Sequence, residues 1–253
     1  MIKRGLKLWT TNQGEVISEA KELLDLGRVD FLELYYHPDS KDWSRFKIFR
    51  GKMVTIHATH YDHGFDLMSL NEGMLEIYKD KILPLADYFE SPYIILHPGV
   101  RGNKEKFSAN LDRLYDQRLI IENMPKVSLD GQNFFGYSLD ELKWIKEEKE
   151  INFCLDIPHA IVSANRQNID YKKFIDDLAL ELKPAYFHIS GVNIKSKKDE
   201  HLNLWEADFD LAWVKSTLEK EAENKEVFLV FEVPKVGASL KNDLKNIEYF
   251  RDI

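Results

Sequence analysis

Eight short apolar runs alternate with longer amphipathic segments along the whole 253-residue chain. Short apolar runs bounded by polar residues are typical of buried strands, and the segments between them show the apolar spacing of helices. The predicted strands are GLKLW (5–9), FLELYY (31–36), MVTIH (53–57), YIILH (93–97), RLIIEN (118–123), NFCLD (152–156), AYFHI (185–189) and VFLVFE (227–232). Eight strands that alternate with helices predict an α/β fold, a (β/α)8 TIM barrel.

The helical segments complete this pattern. The predicted helices are 14–27, 70–89, 105–115, 138–149, 170–182, 208–223 and 239–252, with a poorly marked second helix around 43–49. No Pro/Gly-rich linker interrupts the chain, so one barrel domain over 1–253 is expected. A doubly wound open sheet is the competing fold, but it usually has a Gly-rich phosphate turn after its first strand, where this chain has TTNQGE (10–15).

Composition argues against several classes of protein. The chain lacks an apolar stretch of about 18 residues, and its start, MIKRGLKLW, lacks the apolar region of a signal peptide. We therefore expect a soluble, cytoplasmic protein without a membrane partner. The single cysteine, Cys154, excludes an internal disulfide framework. The net charge of -8 argues against nucleic-acid binding by bulk electrostatics.

The distribution of positive charge nevertheless leaves a nucleic-acid partner open. Loops expected at the catalytic rim carry Lys41, Arg45, Lys47, Arg101, Lys104, Lys106, Lys126, Arg166, Lys195, Lys197 and Lys198. A basic rim on an acidic body can hold a phosphate backbone. The alternative is that these side chains are ordinary solvated loop residues.

Six successive predicted strands end in a side chain that can bind a metal ion. These side chains are His57, His97, Glu122, Asp156, His188 and Glu232. Because the residues just before them are apolar, the alternation along a strand directs all six into the barrel, at the carboxyl ends where such barrels have their active sites. Three more candidates follow the sixth and seventh strands, namely His159, Asp199 and His201.

These nine side chains together predict metal binding. One strand-end histidine is more often a hydrogen-bonded structural residue, and Asp156 can simply cap a following helix. Four converging carboxylates, however, need positive charge, and no inward Lys or Arg is evident beside them. Imidazole and carboxylate suit zinc, and also manganese or iron. Nine ligands exceed one tetrahedral zinc and fit two or three ions.

The order of these residues resembles the endonuclease IV family of zinc-dependent apurinic/apyrimidinic endonucleases, within the xylose isomerase-like barrels. The matching motifs are HATH (57–60), HPG (97–99), IEN (121–123), CLDIPHA (154–160), the strand-end His188, DEH (199–201) and FE (231–232). The resemblance covers about residues 53–234.

The resemblance implies a three-zinc hydrolase. It implies one zinc held by His57, His97 and Glu122, a second by Glu122, Asp156, His188 and Glu232, and a third by His159, Asp199 and His201. Glu122 and Glu232 are the predicted catalytic residues, with Glu122 as the bridge between the first two ions. The expected reaction is cleavage of abasic DNA 5′ to the abasic site by a hydroxide shared by these two ions, with the third ion stabilising the leaving 3′ oxygen.

Three positions depart from the family pattern. The first strand offers Lys7 where the family usually has a histidine, and His60 stands where the family tends to have a tyrosine. LNLWEAD (202–208) replaces a Gly-rich segment, and its Trp205 either stacks on a substrate ring or, as we expect, packs on the rim.

Two other functions stay open. A sugar isomerase or epimerase of the same superfamily needs one divalent ion, held by Glu122, Asp156, His188 and Glu232, with Glu122 and Glu232 also moving protons. A non-enzymatic metal-binding protein is the third possibility, but so many inward ligands cost stability that a binding scaffold need not sacrifice. No protein partner is expected from the sequence, which leaves the oligomeric state open.

Overall fold

Eight parallel strands pair in sequence order, and the first pairs with the last to close a barrel. The computed structural model describes residues 1–253. The strands are β1 (Ile2–Trp9), β2 (Phe31–Tyr35), β3 (Val54–His57), β4 (Ile94–Leu96), β5 (Leu119–Glu122), β6 (Asn152–Asp156), β7 (Tyr186–Ile189) and β8 (Val227–Phe231). All eight predicted strands are present, and the predicted (β/α)8 barrel is confirmed.

Helices surround the barrel and follow the predicted segments closely. They are α1 (Gly14–Asp25), α2 (Glu72–Ile77), α3 (Leu83–Tyr88), α4 (Lys104–Leu114), α5 (Leu139–Lys149), α6 (Ile157–Gln167), α7 (Tyr171–Leu182), α8 (Leu211–Ala222) and α9 (Lys241–Asp252). The poorly marked second segment is a 3₁₀ helix, Ser44–Phe49. None of the helices combines the length and apolar character that crossing a membrane requires.

The segment predicted as one helix over 70–89 contains a wider turn. A π-helical turn, Tyr78–Ile82, lies between α2 and α3. Pro84 lies just after this turn and has no backbone N–H to donate to the preceding residues. Because a proline in a helix removes one such hydrogen bond, the backbone there adopts the wider hydrogen-bonding pattern.

The sequence did not indicate helix α6, which directly follows β6. Asp156 is its N-cap, and its side chain accepts a hydrogen bond from the backbone N–H of His159 (2.6 Å). The first eight residues of α6, 157–164, are all buried. Helix α6 begins at the residue directly after β6, without a loop between them, so the apolar run of the strand continues into the helix and no separate helical segment was predicted.

The interior of the barrel has an apolar half and a polar half. Towards the amino-terminal ends of the strands it is filled by Phe31, Ile95, Ile120, Cys154, Tyr186, Phe228 and Val230. Gly5 faces the Phe31 ring so closely that an added Cβ would lie 2.4 Å from it. Only glycine therefore fits at this position of β1. The polar half lies at the carboxyl ends, and the strand register places Asp156 beside His188 there.

Candidate metal centre

The nine predicted side chains meet at the carboxyl end of the barrel. Five of them are buried: His57, Glu122, Asp156, His159 and His188. The other four are less buried: His97, Asp199, His201 and Glu232. Seven of the nine line one pocket: His57, His97, Glu122, His159, Asp199, His201 and Glu232. The two remaining side chains, Asp156 and His188, lie directly beneath, in contact with Glu122 or its neighbours. We call these nine side chains the cup.

The first group in the cup consists of His57, His97 and Glu122. The Nε2 atoms of His57 and His97 lie 3.2 Å and 3.3 Å from the same oxygen of Glu122, Oε2. His57 donates its Nδ1–H to the backbone carbonyl of Ala58 (2.8 Å). Because a neutral imidazole has one N–H, this contact leaves His57 Nε2 free as a ligand atom directed towards Glu122.

The second group centres on Nδ1 of His188. This atom lies 2.9 Å from Glu232 Oε1, 3.4 Å from Glu122 Oε2 and 3.8 Å from Asp156 Oδ2. Three carboxylates from the carboxyl ends of three different strands thus face one imidazole nitrogen. This is the set expected for the second ion.

The third group is more open. His159 Nε2 lies 3.4 Å from Asp199 Oδ2, and His201 Nε2 lies 2.6 Å from the same oxygen. His159 donates its Nδ1–H to the backbone carbonyl of Asn123 (2.9 Å), so its Nε2 is the nitrogen available to a ligand. The DEH segment, although in a loop, therefore reaches the cup.

His159 also approaches the second group. Its Nδ1 lies 3.2 Å from Glu122 Oε1 and 3.7 Å from Asp156 Oδ1. Glu122, Asp156 and His159 each have a potential ligand atom within 4.8 Å of the others. The side chains expected to serve separate ions are thus in mutual contact.

Burial and neighbouring charges shift the pKa values of the cup. Burial alone would raise the pKa of Glu122, but the charge of His97 and its neighbours holds it well below the ordinary value. The pKa of Asp156 is raised to about 7, first by burial and then by nearby carboxylates. Burial would lower the pKa of His201, but Asp199 raises it to about 9.

Two charged side chains in the interior were not predicted to contact the ligands: Lys7, noted only as a departure from the family pattern, and Glu33. Lys7 of β1 lies 3.0 Å from Glu33 Oε1 and also donates a hydrogen bond to Glu232. The expectation that no Lys or Arg points inward beside the ligands is therefore wrong. Both residues occupy inward positions in the middle of their strands (GLKLW and FLELYY), whereas the predicted ligands all lie at or beyond the strand ends. A charged residue within an otherwise apolar strand is the sequence feature that could have identified both side chains.

One ammonium does not neutralise this site. Five carboxylates converge on it, Glu33, Glu122, Asp156, Asp199 and Glu232, against the one ammonium of Lys7. Without metal these carboxylates draw protons onto the imidazoles: although burial opposes it, Asp156 and Asp199 raise the pKa of His159, and Asp199 raises that of His201 to about 9. Three buried atoms of the cup, His97 Nε2, His188 Nδ1 and Asp199 Oδ1, make no hydrogen bond. Because buried polar atoms rarely go without a partner, imidazole nitrogens and carboxylate oxygens in this arrangement fit divalent metal ions such as zinc.

An aromatic wall extends from the cup to the rim. His60 stacks on His97 with ring centroids 5.2 Å apart, and His63 lies 4.7 Å from His60. Trp9, at the end of β1, stacks on His37 at 5.5 Å and is 40% exposed. Trp9 and His60 both line a second pocket that opens beside the cup.

The expectation that Trp205 packs rather than stacks on a substrate agrees with its contacts. Its ring lies 6.0 Å from that of Tyr249, and the Lys245 ammonium lies 4.0 Å above it. Both partners belong to α9. Trp9 is therefore the tryptophan at the mouth of the site.

The eleven rim cations expected from the sequence do not line the pockets at the cup. The cations that do are Lys7 and Lys235. Several of the eleven have local partners instead. Arg101 donates to the Tyr61 hydroxyl (3.1 Å), and Lys104 lies over the Trp144 ring.

Comparison with known proteins gives a family and a set of similar folds. No curated protein matches the sequence. Among solved structures, endonuclease IV from Thermus thermophilus superposes with a TM-score of 0.72 at 18% identity, over 99% of this chain and 98% of that one. The 3-keto-D-glucoside 4-epimerase from E. coli gives 0.70 at 13% identity, over 100% of both chains. A D-psicose 3-epimerase gives 0.59 at 12%, over 96% of this chain and 89% of that one.

At such identities these structural likenesses establish the fold alone. The family described as xylose isomerase-like TIM barrel matches residues 21–253, most of the chain. The strand order and closed parallel barrel agree with that description. The chain belongs to the xylose isomerase-like TIM barrel family.

Proposed function

We propose that this protein is a metal-dependent phosphodiesterase that cleaves the DNA backbone 5′ to abasic sites. The observation that carries the proposal is the third group of the cup, in which Asp199 Oδ2 lies 3.4 Å from His159 and 2.6 Å from His201. A barrel that holds one ion needs only the second group. The extra imidazoles and carboxylate give the site capacity for more than one ion.

Each group has a defined part in this activity. His57 and His97 hold one ion with Glu122, and the second and third groups hold two more. Divalent ions in such a site supply positive charge to a phosphate and a nucleophile at neutral pH. Glu122 contacts His57, His97, His159 and His188. Its carboxylate therefore fixes the spacing of the groups.

The chain's other residues orient the substrate. The phosphate enters the pocket above the cup, because the ligand side chains form its floor. Trp9 offers an exposed ring at the mouth, and aromatic rings bind flanking bases by stacking. Lys7 is fixed between Glu33 and Glu232 and keeps the second group aligned.

The likeness to the Thermus thermophilus endonuclease IV supports this proposal through the fold only. The ligand set, whose order along the chain resembles the motifs of the endonuclease IV family, supports the reaction. Zinc is the proposed ion, with manganese or iron as substitutes that the same ligands accept.

A sugar isomerase or epimerase is the second candidate. Glu122 and Glu232 both face His188 Nδ1, at 3.4 Å and 2.9 Å. Two carboxylates that flank one metal position suit epimerisation, in which one removes a proton from a substrate carbon and the other delivers a proton to the substrate. The epimerase from E. coli matches this fold over the full length of both chains. Under this reading one ion is sufficient, and the third group contacts the sugar.

A direct assay separates the two candidates. Zinc-loaded protein is incubated with a duplex oligonucleotide that carries one abasic site, and with the same duplex undamaged. The proposal predicts one incision 5′ to the abasic site, no cleavage of the undamaged duplex, and loss of activity with chelator. Absence of incision, together with manganese-dependent epimerisation of a ketose, would replace the proposal with the second candidate.

A further inference from the structure

Beneath the cup lies a buried carboxylate that the predicted ligand set does not include. Glu33, in the middle of β2, accepts hydrogen bonds at Oε2 from His188 Nε2 (2.8 Å) and from the Tyr186 hydroxyl (2.8 Å). Its other oxygen lies 3.0 Å from the Lys7 ammonium. Since Glu33 is fully buried, protein groups supply all of these contacts.

The Glu33 contact determines which nitrogen of His188 is free. A neutral imidazole carries its proton on one nitrogen, and the hydrogen bond made by that nitrogen selects it. With Nε2–H donated to Glu33, the lone pair is on Nδ1. This atom faces Glu122 and Glu232 and makes no hydrogen bond.

We propose that Glu33 is a positioning residue that holds His188 as an Nδ1 ligand, and that Lys7 in turn holds Glu33. The inference rests on the metal centre of the proposed function but not on its substrate. A carboxylate that accepts the second N–H of a ligating histidine fixes the ring and increases its basicity, and its loss typically lowers metal affinity about 10- to 100-fold.

The alternative role for Glu33 is direct metal ligation. Glu33, His57, His188 and Glu232 have potential ligand atoms within 4.8 Å of one another. However, the Lys7 ammonium already contacts both Glu33 and Glu232. A fixed cation therefore occupies the space between these carboxylates. Glu33 Oε1 makes no hydrogen bond but faces this ammonium at 3.0 Å, and Oε2 accepts from both His188 and Tyr186. The geometry favours a supporting role over ligation.

The test compares metal binding by the wild type, Glu33→Gln and Thr55→Val. Thr55→Val is the matched control, because Thr55 Oγ1 hydrogen-bonds to the Tyr186 hydroxyl (2.7 Å), next along the same buried chain, without touching His188. Cobalt(II) is titrated against a chromophoric chelator, and the visible spectrum of the loaded protein is recorded. We expect Glu33→Gln to bind one ion about tenfold more weakly with altered visible bands, and Thr55→Val to match the wild type.

Each outcome has a separate meaning. If the wild type binds no cobalt, the metal centre itself is wrong. If the wild type binds cobalt and Glu33→Gln has the same affinity and spectrum, the positioning role alone is wrong, whatever the activity on DNA. If Thr55→Val shows the same loss as Glu33→Gln, the effect belongs to general packing and the inference is overturned.

A double variant makes the test independent of how well one variant folds. If Glu33 acts through His188, Glu33→Gln has no further effect on cobalt affinity in a His188→Ala background. Additive losses would show that the two side chains act independently. Should Glu33→Gln not fold, Glu33→Asp takes its place in both comparisons. It keeps the charge but draws the carboxylate back from His188, so the same direction is expected.

Discussion

His57 Nε2 lies 3.2 Å from Oε2 of Glu122, although the two residues are 65 positions apart and their strands are not neighbours in the barrel. Strand β4 lies between their strands, β3 and β5. Because the sheet curves into a closed barrel, their inward side chains still meet inside it. Glu122 also contacts ligands of both other groups, which makes it the central carboxylate of the proposed centre.

Glu122→Gln is therefore expected to lower abasic-site cleavage by at least about 100-fold, because an amide replaces the shared charge while the side chain keeps its shape. Steady-state cleavage rates of zinc-loaded proteins measure the loss. Glu226→Gln, a change of the same kind at a half-exposed surface ion pair with Lys3, is the control and should leave the rate unchanged. Full activity in Glu122→Gln would remove Glu122 from the reaction.

Asp156 has two functions that different substitutions separate. Its Oδ1 caps α6 through the His159 backbone N–H (2.6 Å), and its other oxygen faces His188. Asp156→Asn keeps the cap and loses the charged ligand, whereas Asp156→Ala loses both. In metal-free protein we expect Asp156→Ala to lower the free energy of unfolding by about 1 kcal/mol, which corresponds to about 2–4 °C in Tm. Asp156→Asn should leave the free energy of unfolding unchanged.

Metal titration of the same two proteins completes this comparison, since both should bind fewer ions than the wild type. Equal destabilisation of the two variants would argue against the capping role. An unchanged ion count would argue against the ligand role.

Trp9 and Trp205 are expected to behave differently. Trp9 is exposed at the mouth of the site, whereas Trp205 packs between Tyr249 and Lys245. Base stacking contributes about 1–3 kcal/mol, so Trp9→Ala should raise KM for abasic duplex about tenfold with little change in kcat. Trp205→Ala should lower Tm and leave KM unchanged. The reverse result would place the substrate on the other side of the rim.

A pH effect on stability is expected at Asp243, outside the cup. Its side chain is fully buried, and burial raises its pKa above the ordinary 3.8 despite the opposing charge of Lys235. A carboxyl with a raised folded-state pKa contributes stability that is fully present below the unfolded value and is lost as pH rises through the folded value.

The stability of wild type relative to Asp243→Asn should therefore be greatest below about pH 4 and decrease towards neutral pH, because the asparagine does not titrate. Chemical unfolding of both proteins across this range measures the difference. A difference that grows with pH would mean that the Lys235 pair outweighs the cost of burial.

Much of the architecture could be predicted from the sequence, because a polar residue that ends an apolar strand can be recognised in one sequence. His57, Glu122, Asp156, His188 and Glu232 follow apolar runs, and strand alternation directs them inward. Strand β1 begins earlier than expected, at Ile2, because its first residues are only partly buried and carry charge.

The rest depended on information that a local pattern lacks. Lys7 and Glu33 neutralise each other only when β1 and β2 pair, and the register of that pair places them directly side by side. Helix α6 follows β6 without a loop, and its first eight residues are as buried as the strand, so the local pattern does not show where the strand ends and the helix begins. The wall of His37, His60 and His63 forms from two separate loops, so its members look unrelated in the sequence.

The number of metal ions per chain tests the central claim most directly. Protein expressed in zinc-supplemented medium, freed of loosely bound ions and measured by elemental analysis against quantitative amino-acid analysis, should contain close to three zinc ions per chain. His201→Ala should contain about one fewer, because the ring nitrogen proposed as its ligand atom, Nε2, contacts Asp199 of the third group. A single ion per chain in the wild type, unaffected by His201→Ala, would contradict the account.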